Sequence, residues 1–186
     1  MNNIVNNIWE EEHSSKRRVC MLMITHACNL KCSYCYETHK QNAYMTIDLA
    51  KDIILKEAKM IEKSDQFDEI QIDFMGGEPL MNFSLIKDVV EWLESGAINV
   101  PWVCFASTNA TLINKDIRAW LKEHKKYMIL GISYDGTSRM QSKNRGTDQY
   151  DIDLDFFHEL WPEQTFQMTI SKETLPFLAE GVLSVQ

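Results

Sequence analysis

This chain of 186 residues is predicted to adopt an α/β fold, a parallel sheet with its helices outside. Three observations support this. Short apolar runs of strand length alternate about five times with stretches of helical periodicity. Most of the runs end in a polar or glycine-containing turn. With 45% hydrophobic and 25% charged residues, the composition is that of a globular domain large enough to bury a core. Strands separated by helices pair in parallel through right-handed crossovers.

The elements follow in order. Val19–Thr25 is a short apolar run and is predicted to be a buried strand. In Thr46–Ile61, apolar residues fall at Ile47, Ala50, Ile53, Ile54, Ala58 and Ile61, which is helical spacing, with Thr46 placed to cap. Ile70–Met75 alternates and stops at Gly76-Gly77, the pattern of a second strand. Phe83–Leu93 is predicted helical, with Gly96 where a C-terminal glycine cap belongs. Trp102–Thr108 gives a third strand, Asn114 caps a helix running to about Glu123, and Tyr127–Tyr134 gives a fourth strand ended by Asp135-Gly136. Arg139 to Tyr150 is polar and glycine-containing, hence a predicted loop. Asp153–Leu160 is predicted helical and closed by Pro162, Thr165–Ser171 a fifth strand, and Pro176–Leu183 a last helix.

Net charge is −8, which argues against a nucleic-acid surface, since neutralising phosphates takes a basic stripe. The basic clusters Lys16-Arg17-Arg18 and Lys122–Lys126 read as solvated surface. The first thirteen residues are asparagine-rich and then acidic, without the charged and apolar regions of a signal peptide. The apolar runs are too short to span a bilayer. A cytoplasmic location with no membrane partner is the expectation. In that reducing setting, cysteines point to metal binding before disulfides. Cys20 and Cys104 fall in strand-like runs and are predicted to be small core residues.

The remaining cysteines are different. Cys28, Cys32 and Cys35 stand at x3 and x2 spacing directly after the first strand. Three sulfurs in so short a segment cannot all serve as apolar filler; they suit a metal or an iron–sulfur cluster. A closed structural zinc site uses four protein ligands, so three thiols suggest a centre with one open position. A zinc site completed by His26 or His39 is the alternative. In parallel sheets, ligands bind beyond the carboxyl ends of the strands. The cysteine loop, Gly76 to Pro79, Thr108-Asn109 and Asp135-Gly136 all follow predicted strand ends, so they are expected to converge on one rim.

Cys28-x3-Cys32-x2-Cys35 followed by Gly76-Gly77-Glu78-Pro79 resembles the radical S-adenosylmethionine (SAM) superfamily. Thr108 to Leu112, Ser133-Tyr134-Asp135-Gly136 and Asn144-Arg145 look most like its peptide- and protein-modifying branch, the anaerobic sulfatase-maturing enzymes and peptide maturases. The resemblance implies a partial (β/α) barrel, a [4Fe-4S] cluster on Cys28, Cys32 and Cys35, and SAM bound to its fourth iron. It implies reductive cleavage of SAM to a 5′-deoxyadenosyl radical that takes hydrogen from a peptide or protein side chain. It also implies an electron donor such as flavodoxin or ferredoxin. Tyr34 would lie beside the adenine, Gly76 and Gly77 would let the backbone approach the amino group, and Glu78 would lend negative character. Ser133 and Arg145 would hold the carboxylate, a role that suits a guanidinium fork. Asn109 and Asp135 are expected near SAM or substrate. No catalytic acid or base is assigned. The other readings are a radical SAM enzyme for a small molecule and a non-catalytic zinc-binding or interaction module.

Two departures stand out. Ala110 occupies a position that is usually glycine in the family. The predicted organisation, an extension over residues 1–18 and a core domain over 19–186, is short of the family's sixth strand, and no cysteine follows Cys104. A core left open at that edge is expected to bind cluster and SAM but to turn over poorly by itself.

Overall fold

The computed structural model describes residues 16–37, 40–146, 152–163 and 166–184. Four parallel strands lie side by side in chain order: β1 Arg17–Thr25, β2 Glu69–Gly76, β3 Trp102–Thr108 and β4 Met128–Ile132. Helix α1 (Ile47–Ile61) joins the first pair, a 3-10 turn (Pro79–Asn82) with α2 (Phe83–Glu94) the second, and α3 (Lys115–His124) the third. After β4 come α4 (Ser138–Arg145), α5 (Leu154–Leu160), a short 3-10 turn and α6 (Leu178–Leu183). Unreversed strand order is the winding of a barrel wall, not of a doubly wound sheet.

Alternation along the strands decides the two faces. Cys20, Leu22 and Ile24, then Ile70, Ile72 and Phe74, then Cys104 and Ala106, then Met128, Leu130 and Ile132 are buried. They form one core with Ala50 and Ile54 of α1, Ile86 and Val90 of α2, and Ile117 and Leu121 of α3. On the opposite face Val19, Met21 and Met23 are 50%, 70% and 39% exposed, so the helices cover β1 on one side only. Cys20 and Cys104 are buried core residues, as their strand positions predict; burial pushes the Cys20 thiol up to about 11 and raises the Cys104 thiol well above its ordinary value.

The caps fall where the sequence places them. The Thr46 side chain accepts the N–H of Leu49, Asn114 those of Asp116 and Ile117, and Asp153 that of Phe156. Gly96, with φ +85°, follows α2 as expected.

Two expectations change. The predicted loop from Arg139 contains α4: Thr137 accepts the N–H of Met140, and Gly146 ends the helix at φ +64°. Its polar sequence hides a buried face of Met140, Gln141, Asn144 and Arg145, in which Gln141 Oε1 accepts Asp135 N–H, Asn144 Nδ2 donates to Thr169 O and Arg145 donates to Asp135. Thr147 to Asp151 lie outside the described residues. The predicted fifth strand, Thr165–Ser171, is reduced to a single parallel bridge between Gln167 and Ser133 among its described residues. Side chains take what a longer ladder would need: Asp135 accepts the N–H of Thr169 at 2.8 Å, and Asn144 donates to its carbonyl at 2.7 Å.

Helix α6 fastens to the rim through Gly136, where φ is +90° and an added Cβ would meet the Gly181 backbone at 2.6 Å. Gly136→Ala should therefore destabilise the fold by about 1–3 kcal/mol. The check is a urea titration together with proteolytic sensitivity after α4; an unchanged midpoint would contradict this packing.

Candidate functional site

The cysteine loop leaves β1 at a bulge between Met23 and Thr25, which bends the strand end toward the rim. It returns beside the same strand: His26 N–H donates to Ala43 O at 3.1 Å, and Met45 N–H to Ile24 O at 2.9 Å. The loop is thus closed at its base. The paired glycines explain how β2 meets it. A Cβ on Gly77 would lie 2.5 Å from Ala27 O and 2.8 Å from the Cys28 Cβ; on Gly76 it would lie 2.7 Å from Thr25 O. Those glycines were expected to let backbone approach a ligand. The contact shown by the geometry is backbone against the root of the cysteine loop, with both glycines still on the cavity wall.

Glu78 is 1% exposed and serves as a brace. Its Oε1 accepts Leu80 N–H at 3.1 Å and the Thr108 hydroxyl at 2.6 Å, and its Oε2 accepts Asn109 N–H at 2.8 Å. The end of β2 is thereby tied to the end of β3. Burial nevertheless lifts the Glu78 carboxyl above the usual carboxylate range, against those three donors. Asn109 receives Thr111 N–H on its Oδ1 and donates to Asn29 Oδ1 at 3.0 Å, bridging β3 to the cysteine loop. Between them Ala110 takes φ +59°, a left-handed conformation that accounts for glycine as the ordinary residue at this position.

On the far rim Asp135 is fully buried. Arg145 donates to it twice, from Nε at 2.8 Å and Nη2 at 2.9 Å. The guanidinium carbon lies 5.6 Å from the centre of the Tyr34 ring, within cation–π range. Burial pushes the Tyr34 phenol up to about 12, with the Thr169 side chain as a hydrogen-bond partner. The backbone adds a second tie, since Ser33 N–H donates to Asn144 O at 2.8 Å. Asp135, expected near SAM or substrate, sits behind Arg145 and is not among the cavity-lining residues, because its carboxylate is consumed inside the fold.

These ties create one cavity of about 260 Å³. Cys28, Cys32, Cys35, Tyr34, Gly76, Gly77, Glu78, Asn109, Ser133 and Arg145 all line it. Thr108, expected at the rim, lines it too; sequence reasoning assigned no site role to Tyr36, Lys40, Met75, Ser107, Gln167 and Thr169, which complete the wall. Met75 and Ser107 alternate with buried strand residues, a signal the pattern carries; nothing in the sequence marks Lys40.

The three thiols are unpaired with one another and partly exposed. Burial raises the Cys32 thiol; Arg145 and Lys40 pull it down, and Cys28 and Cys35 push it up. Among the described residues no three His, Cys, Asp or Glu side chains group to hold a single metal ion. His26, one of the two histidines considered for zinc, has its Nδ1 3.3 Å from Glu37 Oε2; His39 lies outside the described residues. A donor set of three soft thiols on one cavity fits an iron–sulfur cluster.

Two substitutions test this framework. Ala110→Gly should stabilise the chain by up to about 1 kcal/mol by relieving the left-handed alanine, read from the urea midpoint; a loss would contradict the backbone assignment. Glu78→Gln should cost about 1–3 kcal/mol, because an amide turns donors toward the N–H and O–H groups that the carboxylate accepts. With the folded carboxyl raised, the native state holds a proton that the unfolded chain releases. Stability from this group therefore falls as pH rises from the ordinary carboxyl range through the raised value. Urea titrations across that range should show the slope in the parent and a flatter one in the variant.

Comparison with known proteins agrees with this geometry. Residues 17–152 match the family described as a 4Fe-4S single cluster domain. The chain is similar to a radical SAM cyclopropyl synthase of Paramaledivibacter caminithermalis, 28% identical over 152 residues, covering 74% of this chain and 31% of that protein. It is similar to an Fe-coproporphyrin III synthase of Methanosarcina barkeri, 33% identical over 132 residues, with 70% and 30% covered. Among solved structures, anSMEcpe with bound AdoMet and Cp18Cys peptide aligns with TM-score 0.72 and 19% identity over 90% of this chain and 46% of that one. Streptococcus suis SuiB bound to precursor peptide SuiA aligns with TM-score 0.61 and 18% identity, covering 99% and 39%. The chain spans about a third of these curated relatives and under half of these solved chains. Among the described residues no helix is long and apolar enough to cross a membrane. With three cysteines at the rim of a parallel sheet and a family match over most of its length, the chain belongs to the 4Fe-4S single cluster domain family of radical SAM proteins.

Proposed function

We propose that this chain is the cofactor-binding core of an enzyme that takes hydrogen from a peptide or protein side chain. Cys28, Cys32 and Cys35 hold a [4Fe-4S] cluster, and the cavity beside them holds SAM. One observation carries the reading: thiols from the loop after β1 and polar groups from the next three strand ends line a single cavity. Three thiolates satisfy three irons and leave the fourth to a ligand. When bound, the cluster supplies the electron that cleaves the sulfonium of SAM to give a 5′-deoxyadenosyl radical.

The chain's own residues bind and orient. Asp135 fixes the plane of Arg145 at the cavity wall, where a guanidinium suits a carboxylate. Ser133, held in register by its N–H to Thr108 O at 2.9 Å, offers a hydroxyl to the same carboxylate. The Tyr34 ring gives a flat surface for adenine, and the backbone of Gly76 and Gly77 offers polar groups to the amino end. Asn109 completes the wall, and Glu78 contributes by bracing it. The peptide reading is supported by the fold shared with anSMEcpe and SuiB, both solved with peptides. A small-molecule substrate is the second reading, favoured by the more identical Fe-coproporphyrin III synthase.

Anaerobically reconstituted chain should be brown, carry about four irons, and release 5′-deoxyadenosine from SAM once reduced. Cys32→Ala should lose the cluster and that product. A colourless protein carrying zinc would overturn the reading. Transfer of deuterium from a labelled peptide into 5′-deoxyadenosine separates the peptide reading from the small-molecule one.

A further inference from the structure

One carboxylate beside the cofactor cavity has no part in holding the site together. Asp73 alternates with the buried Ile72 and Phe74 of β2, so its side chain stands on the face opposite the core and is partly exposed. Parallel register sets it between Met21 of β1 and Phe105 of β3. Met75, two residues further along the same face, lines the cofactor cavity, which puts Asp73 about 7 Å below that wall.

Its charge is the one left over among its neighbours. At the start of the same face Arg17 Nε pairs with Glu69 at 2.7 Å, and its Nη1 donates to Gln71 Oε1 at 3.0 Å. Gln71 therefore turns its amide nitrogen to Asp73, donating to Oδ1 at 2.6 Å. Among the described residues Gln71 is the one hydrogen-bond donor to this carboxylate, and no Lys, Arg or His pairs with it. Burial raises the Asp73 carboxyl, against Gln71 and Arg17, a cost that an arriving cation offsets. Apolar groups frame it. Met21 is exposed, and the Phe105 ring leans away over β4, where a Cβ on Gly131 would meet its Cζ at 2.6 Å. Beyond that ring a cavity of about 550 Å³ opens over Phe105, Ile129 and Gly131, and Gln167 lines both this cavity and the cofactor's. A single carboxylate between a thioether and a ring is a poor seat for a hard metal ion, which takes six or more oxygens. It suits a charged head on an apolar stem.

We propose that Asp73 is a specificity-determining residue, selecting substrates by an ammonium or guanidinium group on an apolar stem, as in a lysine or arginine side chain. The proposal deepens the peptide reading given under Proposed function and rests on it. The Asp73 carboxylate receives the charged head, Gln71 holds that carboxylate in place, and Met21 and Phe105 flank the stem. The substrate is thereby anchored one pleat from the cofactor wall, with the part that loses hydrogen extending toward SAM.

The test passes a randomised library of N-acetylated, C-amidated heptapeptides over the immobilised, reconstituted chain with SAM present. Peptides retained by the parent should be enriched in Lys and Arg, and Asp73→Asn should remove most of that enrichment. A net charge of −8 attracts cations to the whole surface, so only the part lost in the variant counts. For a retained lysine peptide the dissociation constant should rise about tenfold in Asp73→Asn and return most of the way in Asp73→Glu. Norleucine in place of that lysine should weaken binding to the parent as much and to Asp73→Asn little. Iron content and SAM affinity should match the parent; a loss of either in Asp73→Asn would assign the residue to the cofactor and overturn the proposal. Retention without a cationic preference, a preference that survives in Asp73→Asn, or a parent that retains no peptide overturns the role of Asp73 alone. A parent without a cluster or without 5′-deoxyadenosine formation overturns the function reading, and this inference falls with it.

Discussion

The buried carboxylate of Asp135 is the constraint on which the site depends. It stands immediately past β4, receives two parallel hydrogen bonds from Arg145, and accepts the backbone of Thr169. Three stretches distant in sequence are fixed by one group. Through Arg145 and the adjoining Asn144 carbonyl, the arrangement extends to Ser33 and Tyr34, between the second and third cysteines. A buried charge pair is not in itself a strong source of stability, because desolvation offsets much of the attraction. What it provides here is specification: with its fork engaged on one edge, Arg145 can adopt few other positions.

The opposite side of the cavity is specified by different means. Gly76 and Gly77 remove side chains so that β2 can lie against Thr25, Ala27 and Cys28, and Glu78 then ties that junction to β3. One wall is thus made by close backbone approach and a buried carboxyl, the other by a charged fork. The thiol loop spans both, and its position follows from their agreement.

Much of this was legible in the sequence, and the limits have physical causes. The four strands and three crossover helices could be read because each buries one clear face, with caps at Thr46 and Asn114 where side-chain oxygens were needed. The thiol loop, Gly76 to Glu78, Thr108, Asn109 and Ser133 meet at one cavity, since parallel winding forces successive strand ends to the same side, while Asp135 lies behind it. Helix α4 was hidden because its buried face is polar, so periodicity had nothing apolar to register. Thr165–Ser171 looked like a strand from composition, yet Asp135 and Asn144 intercept the peptide groups of Thr169. Such capture by distant side chains leaves no trace in local pattern. The resemblance gave Glu78 the role of lending negative character beside the SAM amino group; only the fold reveals that its carboxyl accepts Leu80 N–H, the Thr108 hydroxyl and Asn109 N–H.

The one-sided covering of β1 has a consequence for how such a scaffold can change. Along β1 the core rests on Cys20, Leu22 and Ile24, while Val19, Met21 and Met23 point the other way and remain exposed. The pleat separates the two sets completely. Mutations on the exposed set leave the packing between helices and sheet untouched, so that face can drift while the scaffold keeps its stability. Two flexible thioethers on that face conform to varied shapes before any backbone must move.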